Sequence, residues 1–390
     1  MTLDPQAATE AHLAALSAAE LALARDYTTG NHWLILAGLI VSALVTWVIV
    51  KSGLLNALFA RLPERRRNLR VYIVAAVYAV MSAVLALPYS IYAEWWREAQ
   101  YGRTSQPLSD YLSQGAIGIV LSAVFASLFF VGLYALLRRA GRLWWVWAGG
   151  LVAATVSVVL LLSPVLIEPL FNDYQPVPEG EVRDALVGMA QEAGIPADRI
   201  FVFDGSRQSN NFTANVSGIG PYARIAISDV ALGEASLDEV MAVTGHEIGH
   251  YVLGHVWRQI AVFSALAMLV FFLTARTYPA FARLFGSDAA IDDVRGLPVL
   301  LFVIGLFFTF TQPATNTLTR FGERESDAYS LETVELPDAL SEALVKTAEY
   351  RYPLAGPIEE AIFYTHPTVR NRVLTAMEWK AANRGATTAE

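Results

Sequence analysis

Six stretches of this chain are too apolar and too free of charge to face water. Residues 33–50, 71–89, 115–137 and 143–166 contain no Asp, Glu, Lys or Arg, and each is near the ~20 residues a helix needs to cross a bilayer core. Residues 256–275, with only Arg258, and 297–312 are two further candidates. The alternative is a large soluble core, which would need four almost charge-free helices within the first 170 residues. Six spans is therefore the expectation. The 55% hydrophobic and 16% charged composition agrees, being too apolar for an ordinary water-soluble chain. A net charge of −8 offers no footing for nucleic acid. There are no cysteines, which excludes thiol nucleophiles, disulfides and thiolate metal sites.

The spans divide the sequence. Residues 1–32 are Ala-rich and lack the basic start and apolar core of a secretory leader; a short amphipathic helix is expected over 9–24. Residues 33–167 hold four spans and 256–316 two more. Two polar segments, 168–255 and 317–390, are left to be the soluble part, with a frayed tail over 381–390. In the first of them a surface helix is expected over 179–193, stopped by Gly194. Three short β-rich runs follow at 200–203, 213–217 and 224–228, and they predict a small sheet.

The chemistry is concentrated in SLDEVMAVTGHEIGHYVLGH, residues 236–255. Ser236 followed by Glu239 is a capping box, so a helix is expected to start here. On a helix His246 and His250 sit one turn apart on one face, where both imidazoles can hold one zinc ion with Glu247 beside them as base. H-E-x-x-H is short enough to arise by chance, but three of the chain's six histidines, His246, His250 and His255, fall within ten residues. A hydrolytic zinc needs a third protein ligand and an open position. The run ERESDAYS offers carboxylates: on a helix Glu323 and Asp327 share a face and Glu325 points elsewhere. By spacing alone that run reads rather as a charged, solvated helix with Arg324 and Glu325 on its exposed face.

Taken together, these features resemble the integral-membrane zinc metallopeptidases of the CAAX prenyl protease 1 type. The resemblance runs from about Tyr27 to Arg372. It rests on LPYSIYAEWW (87–96), EPLFNDYQPVPEGEV (168–182), FVFDGSRQS (201–209), the H-E-x-x-H helix, RFGERESD (320–327) and HPTVRNR (366–372). It implies a mainly α, polytopic membrane protein. About six transmembrane helices would form a chamber, capped by a soluble gluzincin-like zinc metalloprotease domain with a small β-sheet. It implies one Zn2+ per chain on His246, His250 and Glu323, with Glu247 as general base and Asp327 orienting a ligand histidine. His366 and Arg372 would reach the substrate, a peptide or protein that in eukaryotic relatives is lipidated. Two departures stand out. Ser326 replaces the usual Ala, and the substrate strand reads Thr213-Ala214-Asn215 in place of Asn-Ala-Tyr/Phe; on a strand Asn215 would face the same way as Thr213 and could supply the missing amide. The resemblance also implies six spans here where eukaryotic members have seven.

With six spans, loops 51–70, 138–142 and 276–296 share one side and carry twelve Lys and Arg, against three on the other flanks. The positive-inside rule then places the catalytic segments in the periplasm of a bacterial inner membrane, whereas eukaryotic relatives are thought to present theirs to the cytosol. Two rival functions differ in what they require. An intramembrane metalloprotease needs the zinc helix itself to span, and Asp238, Glu239 and three histidines make it too polar. A membrane scaffold or chaperone with a vestigial zinc site would have no reason to keep Glu247.

Overall fold

The computed structural model describes residues 3–218 and 220–383; most of the tail at 381–390 lies outside the described residues. Helix α1, Pro5–Leu13, ends before α2, Ala18–Ser52. The single amphipathic helix expected over 9–24 is thus broken. The cause is local: Ser17 and Glu20 form a reciprocal capping box that starts a new helix. That helix runs without interruption into the first span, so no boundary falls near residue 32.

Then come α3, Leu54–Arg61, and three long helices: α4, Arg67–Gln100; α5, Leu108–Arg139; and α6, Gly141–Leu170. After the extramembrane segment, α10, His255–Phe285, and α11, Leu297–Thr333, complete six helices long and apolar enough to cross a membrane. They alternate in direction. The loops rich in Arg and Lys consequently meet at one end: Arg138 donates to Asn68 at 3.2 Å, and Lys51 packs beside Gly286. Tyr134, Leu133, Leu297 and Leu300 fill the bundle core nearest that end. Higher up, the helices part around an apolar cavity of about 480 Å³ that reaches Thr365, next to His366.

The extramembrane part holds β1, Tyr174–Pro176; α7, Glu181–Glu192; β2, Ile200–Phe203; β3, Ala214–Ser217; β4, Arg224–Ser228; α8, Asp229–Glu234; and α9, Leu237–Val252. The sheet order is β1-β2-β4-β3, mixed: β2 and β4 run parallel and the outer strands antiparallel. Strand β1, three residues ending in proline, was not anticipated. Ile225 and Ile227 of β4 and Leu186 of α7 are buried against α9, each worth about 1.5–3 kcal/mol of apolar burial. Of the C-terminal helices, α12, Pro337–Lys346, packs on α9; α13, Pro357–Phe363, packs on α11; and α14, Val369–Asn383, packs on α12, with α1 closing the group through Leu13.

Candidate metal and peptide site

Helix α9 starts as expected, with the Ser236–Glu239 capping box formed. It stops at Val252, and Gly254 at φ 65° turns the chain into α10, so His255 belongs to the next helix. The two glycines that weaken α9 as an isolated helix are what let it lie against α11. A β-carbon on Gly249 would come within 3.1 Å of Ser326 Cα and Tyr329 Cβ, and one on Gly245 within 2.5 Å of Val334. Ser326, wholly buried at this contact, keeps the approach close. The sixth span also continues as one helix well past residue 312, because the change to polar composition marks an exit from the apolar region and not a helix end. Continuity of α11 carries Glu323 and Asp327 to α9.

The result is three facing donors. His246 Nε2 and His250 Nε2 are 3.2 Å apart; Glu323 Oε2 lies 3.3 Å from the first and Glu323 Oε1 3.4 Å from the second. One donor atom from each lies within 4.8 Å of the others, a group that could hold a metal ion. A tetrahedral ion with bonds of about 2.0–2.1 Å sets its donors about 3.3 Å apart, so the His246–His250 separation fits, and Glu323 offers each imidazole one oxygen at about that distance. Glu323 Oε2 is buried with no hydrogen-bond partner, a cost that a cation removes.

Each imidazole turns its other nitrogen outward. His246 Nδ1 meets Asp327 Oδ1 at 2.8 Å, and Arg372 grips the same carboxylate through Nε at 2.7 Å and Nη2 at 2.5 Å. His250 Nδ1 meets His255 Nδ1 at 2.8 Å. If both Nε2 atoms point lone pairs at the centre, His250 Nδ1–H donates to His255, whose proton then sits on Nε2, 3.1 Å from Glu325 Oε2 as an ion-pair contact rather than an aligned hydrogen bond. Arg258 closes the chain at 2.6 Å from that oxygen. Glu325, expected to be solvated, is therefore partly engaged, and His255 acquires a structural reason that spacing could not give.

Burial opposes charge on His246, but hydrogen bonds to Asp327 and Glu323 outweigh it and raise the ring to about 9. A metal ion among the three donors takes that proton's place. Glu247, partly exposed to the cleft, has its carboxyl pushed up by its enclosure. His366 Nε2 lies 3.2 Å from Glu323 Oε2, and its Nδ1 is 2.9 Å from Thr365 Oγ1. Burial pushes it down to about 3, so the ring is neutral and carries one N–H donor. It lies three residues before α14, which starts at Val369.

The cleft over this centre runs between β3 and α12 and is lined by Thr213, Ala214, Glu247, Arg351, His366 and Arg372 among others. Two placements differ from expectation. Arg372 does not stand free for substrate, because Asp327 occupies its guanidinium. Asn215 is absent from the cleft lining, and its Oδ1 is buried without a hydrogen-bond partner. Pairing explains this: β3 is fixed on β4 with Asn215 opposite Ala226, which leaves Thr213 and Ala214 at the cleft. Arg351, which no sequence pattern marks, lies in the cleft instead.

Two family models, several relatives and a solved structure match the chain. The family model described as Peptidase family M48 matches residues 176–380, and that described as CAAX prenyl protease N-terminal, five membrane helices, matches 5–173; this chain places four of its six long helices in that second region. A Bacillus subtilis (strain 168) protein described as uncharacterized metalloprotease YhfN is 26% identical over 366 residues, covering 91% of this chain and 84% of its own. The Saccharomyces cerevisiae CAAX prenyl protease 1 is 26% identical over 327 residues, 77% of this chain and 70% of its own. The crystal structure of S. mikatae Ste24p superposes with TM-score 0.67 at 20% identity, over 86% of this chain and 80% of that one.

Proposed function

The chain belongs to peptidase family M48 and is a multi-pass membrane metallopeptidase, and from its donor triangle we propose that the metal is zinc, one per chain, on His246, His250 and Glu323. The carrying observation is that the two Nε2 atoms lie 3.2 Å apart with one Glu323 oxygen 3.3 Å from the first and the other 3.4 Å from the second, a two-histidine, one-carboxylate donor set that leaves a position open. When bound, zinc lowers the pKa of a water and polarises the scissile carbonyl.

The protein's own groups do the rest. Glu247, its carboxyl raised toward the working range, takes the proton of the attacking water and passes it to the leaving amine. Neutral His366 donates its Nε2 proton to the oxyanion that develops at the former carbonyl. Thr213 and Ala214, where β3 reaches the cleft, receive the peptide as an added strand. Arg372 and Asp327 hold His246 in the tautomer that keeps Nε2 free.

The preferred substrate is an apolar peptide, matching the cleft wall and the cavity beneath it. Relatives named CAAX prenyl protease put a lipidated peptide in that class. The gathering of basic loops at the end of the bundle away from the cleft supports a catalytic side facing the periplasm of a bacterial inner membrane. Cysteines introduced at Ser206 and Arg66 test that: a membrane-impermeant thiol reagent labels only position 206, and labelling of position 66 alone reverses the orientation. The chemistry is tested with purified, zinc-loaded protein. Glu247→Gln retains the metal and loses cleavage by at least about 10²-fold; full cleavage with bound zinc removes Glu247 from the role of base.

A further inference from the structure

The cleft is walled by apolar side chains, among them Phe212, Ala214, Val243, Leu340 and Val369, and four basic side chains also line it: His246, His366, Arg372 and Arg351. Three of these have partners. His246 is on Asp327, His366 is on Thr365, and Arg372 is locked to Asp327. The Arg351 guanidinium makes no hydrogen bond or ion pair with any described residue. Its one recorded contact is the Tyr364 ring, 5.8 Å from Cζ to centroid, at the outer limit of a cation–π interaction.

The stem, by contrast, is fixed. Residue 351 is extended, φ −158° and ψ 127°, and its amide donates to Ala348 O at 3.3 Å. The next amide donates to Thr28 Oγ1 of α2 at 2.8 Å, and Tyr364 donates its hydroxyl to Tyr352 O at 3.0 Å. A permanently charged fork on an anchored backbone, in a half-enclosed apolar cleft, carries a desolvation cost that an anionic ligand recovers. Crowding by burial and by the Arg372 charge presses its pKa down, in the direction that an arriving anion relieves.

We propose that Arg351 is a specificity-determining residue that binds a carboxylate of the peptide substrate through a bidentate ion pair. The inference rests on the peptidase reading above and adds to it a charge requirement. Two sources share the chemistry: the α-carboxylate of a chain end, and an Asp or Glu side chain.

The test uses the full chain in detergent, zinc-loaded, with Glu247→Gln so that peptide binds uncut. Three fluorescent hexapeptides of one apolar sequence are compared by anisotropy: free C-terminal acid, C-terminal amide, and the amide with a single Glu. The acid is expected to bind about ten- to a hundredfold more tightly than the amide, the worth of one charge-assisted pair. Arg351→Gln brings that ratio close to one, and Arg351→Lys keeps part of it. Preference for the acid alone assigns the chain end, and equal preference for the Glu peptide assigns a side-chain carboxylate; both support the proposal. Equal binding of all three, no binding of any, or a preference that survives Arg351→Gln overturns it. The peptidase reading is decided separately: it fails if the protein with Glu247 intact leaves bound peptides uncut, while the Arg351 ratio still stands or falls on binding.

Discussion

The two histidines of α9 share a helix and a face, yet they are held by unlike partners. Behind His246 stands a sealed pair: Asp327 is 3% exposed and Arg372 closes over it. Behind His250 stands a chain that opens outward, from buried His255 to Glu325 and Arg258, whose side chains are 48% and 37% exposed. Burial decides how much each partner matters. A carboxylate sealed with an arginine has no substitute when one member is removed, whereas water can replace the outer members of an exposed chain. The inner support therefore fixes one ligand rigidly, and the outer support tolerates change.

Asp327 should show the largest effect. Asp327→Ala leaves Arg372, 11% exposed, with only Glu323 at 3.9 Å, at about 3–5 kcal/mol of stability, measured by thermal unfolding in detergent. Asp327→Asn keeps the shape but weakens the hold on His246, and zinc affinity in chelator competition falls about 10–100-fold. His255→Ala comes next, near the lower end of that range, because a water can accept the His250 Nδ1 proton. Glu325→Gln is smaller again, about fivefold at most, as expected for an ion pair largely in solvent. If His255→Ala weakened zinc binding more than Asp327→Asn, the ranking of sealed over open support would be reversed.

How far this was legible in the sequence depends on how local each signal is. The six spans are written in runs of apolar residues, and His246, Glu247 and His250 in a spacing of one helical turn. Glu323 stood out as a candidate only beside alternatives; the resemblance singled it out, and the geometry shows why it arrives, through two glycines that admit α11. The break before Ala18 was readable in Ser17–Glu20 but was hidden by the similar composition on both sides. Asn215 was misread because a strand's alternation says which residues share a face, not which of them the sheet covers. Arg351 had no pattern at all and His255 showed only as a member of the histidine cluster, without a role: the first lies in the cleft through the path of a loop anchored on α2, and the second meets His250 through a turn at Gly254. Neither is local information.

The smallest effect should come from the start of α9, where the sealed and open supports share a common base. Glu239 is 3% exposed, accepts the Ser236 amide at 2.7 Å and pairs with Lys346 at 2.7 Å. Burial acts to raise its pKa, but Lys346 and Ser236 outweigh burial and hold it below the ordinary carboxylate range. A depressed folded pKa means that the unfolded chain binds the proton more readily. The contribution is thus fully present above the unfolded value of about 4.3 and is lost as pH falls through the lower folded value. Glu239→Gln should cost about 1 kcal/mol at pH 7, with the gap from the unsubstituted protein closing as acid protonates the carboxylate. Zinc affinity should change little, since Glu239 lies seven residues before His246 and touches neither support. A gap that widened in acid would place the Glu239 pKa above its unfolded value, and a large loss of zinc would mean that the two supports depend on the helix start as much as on their own partners.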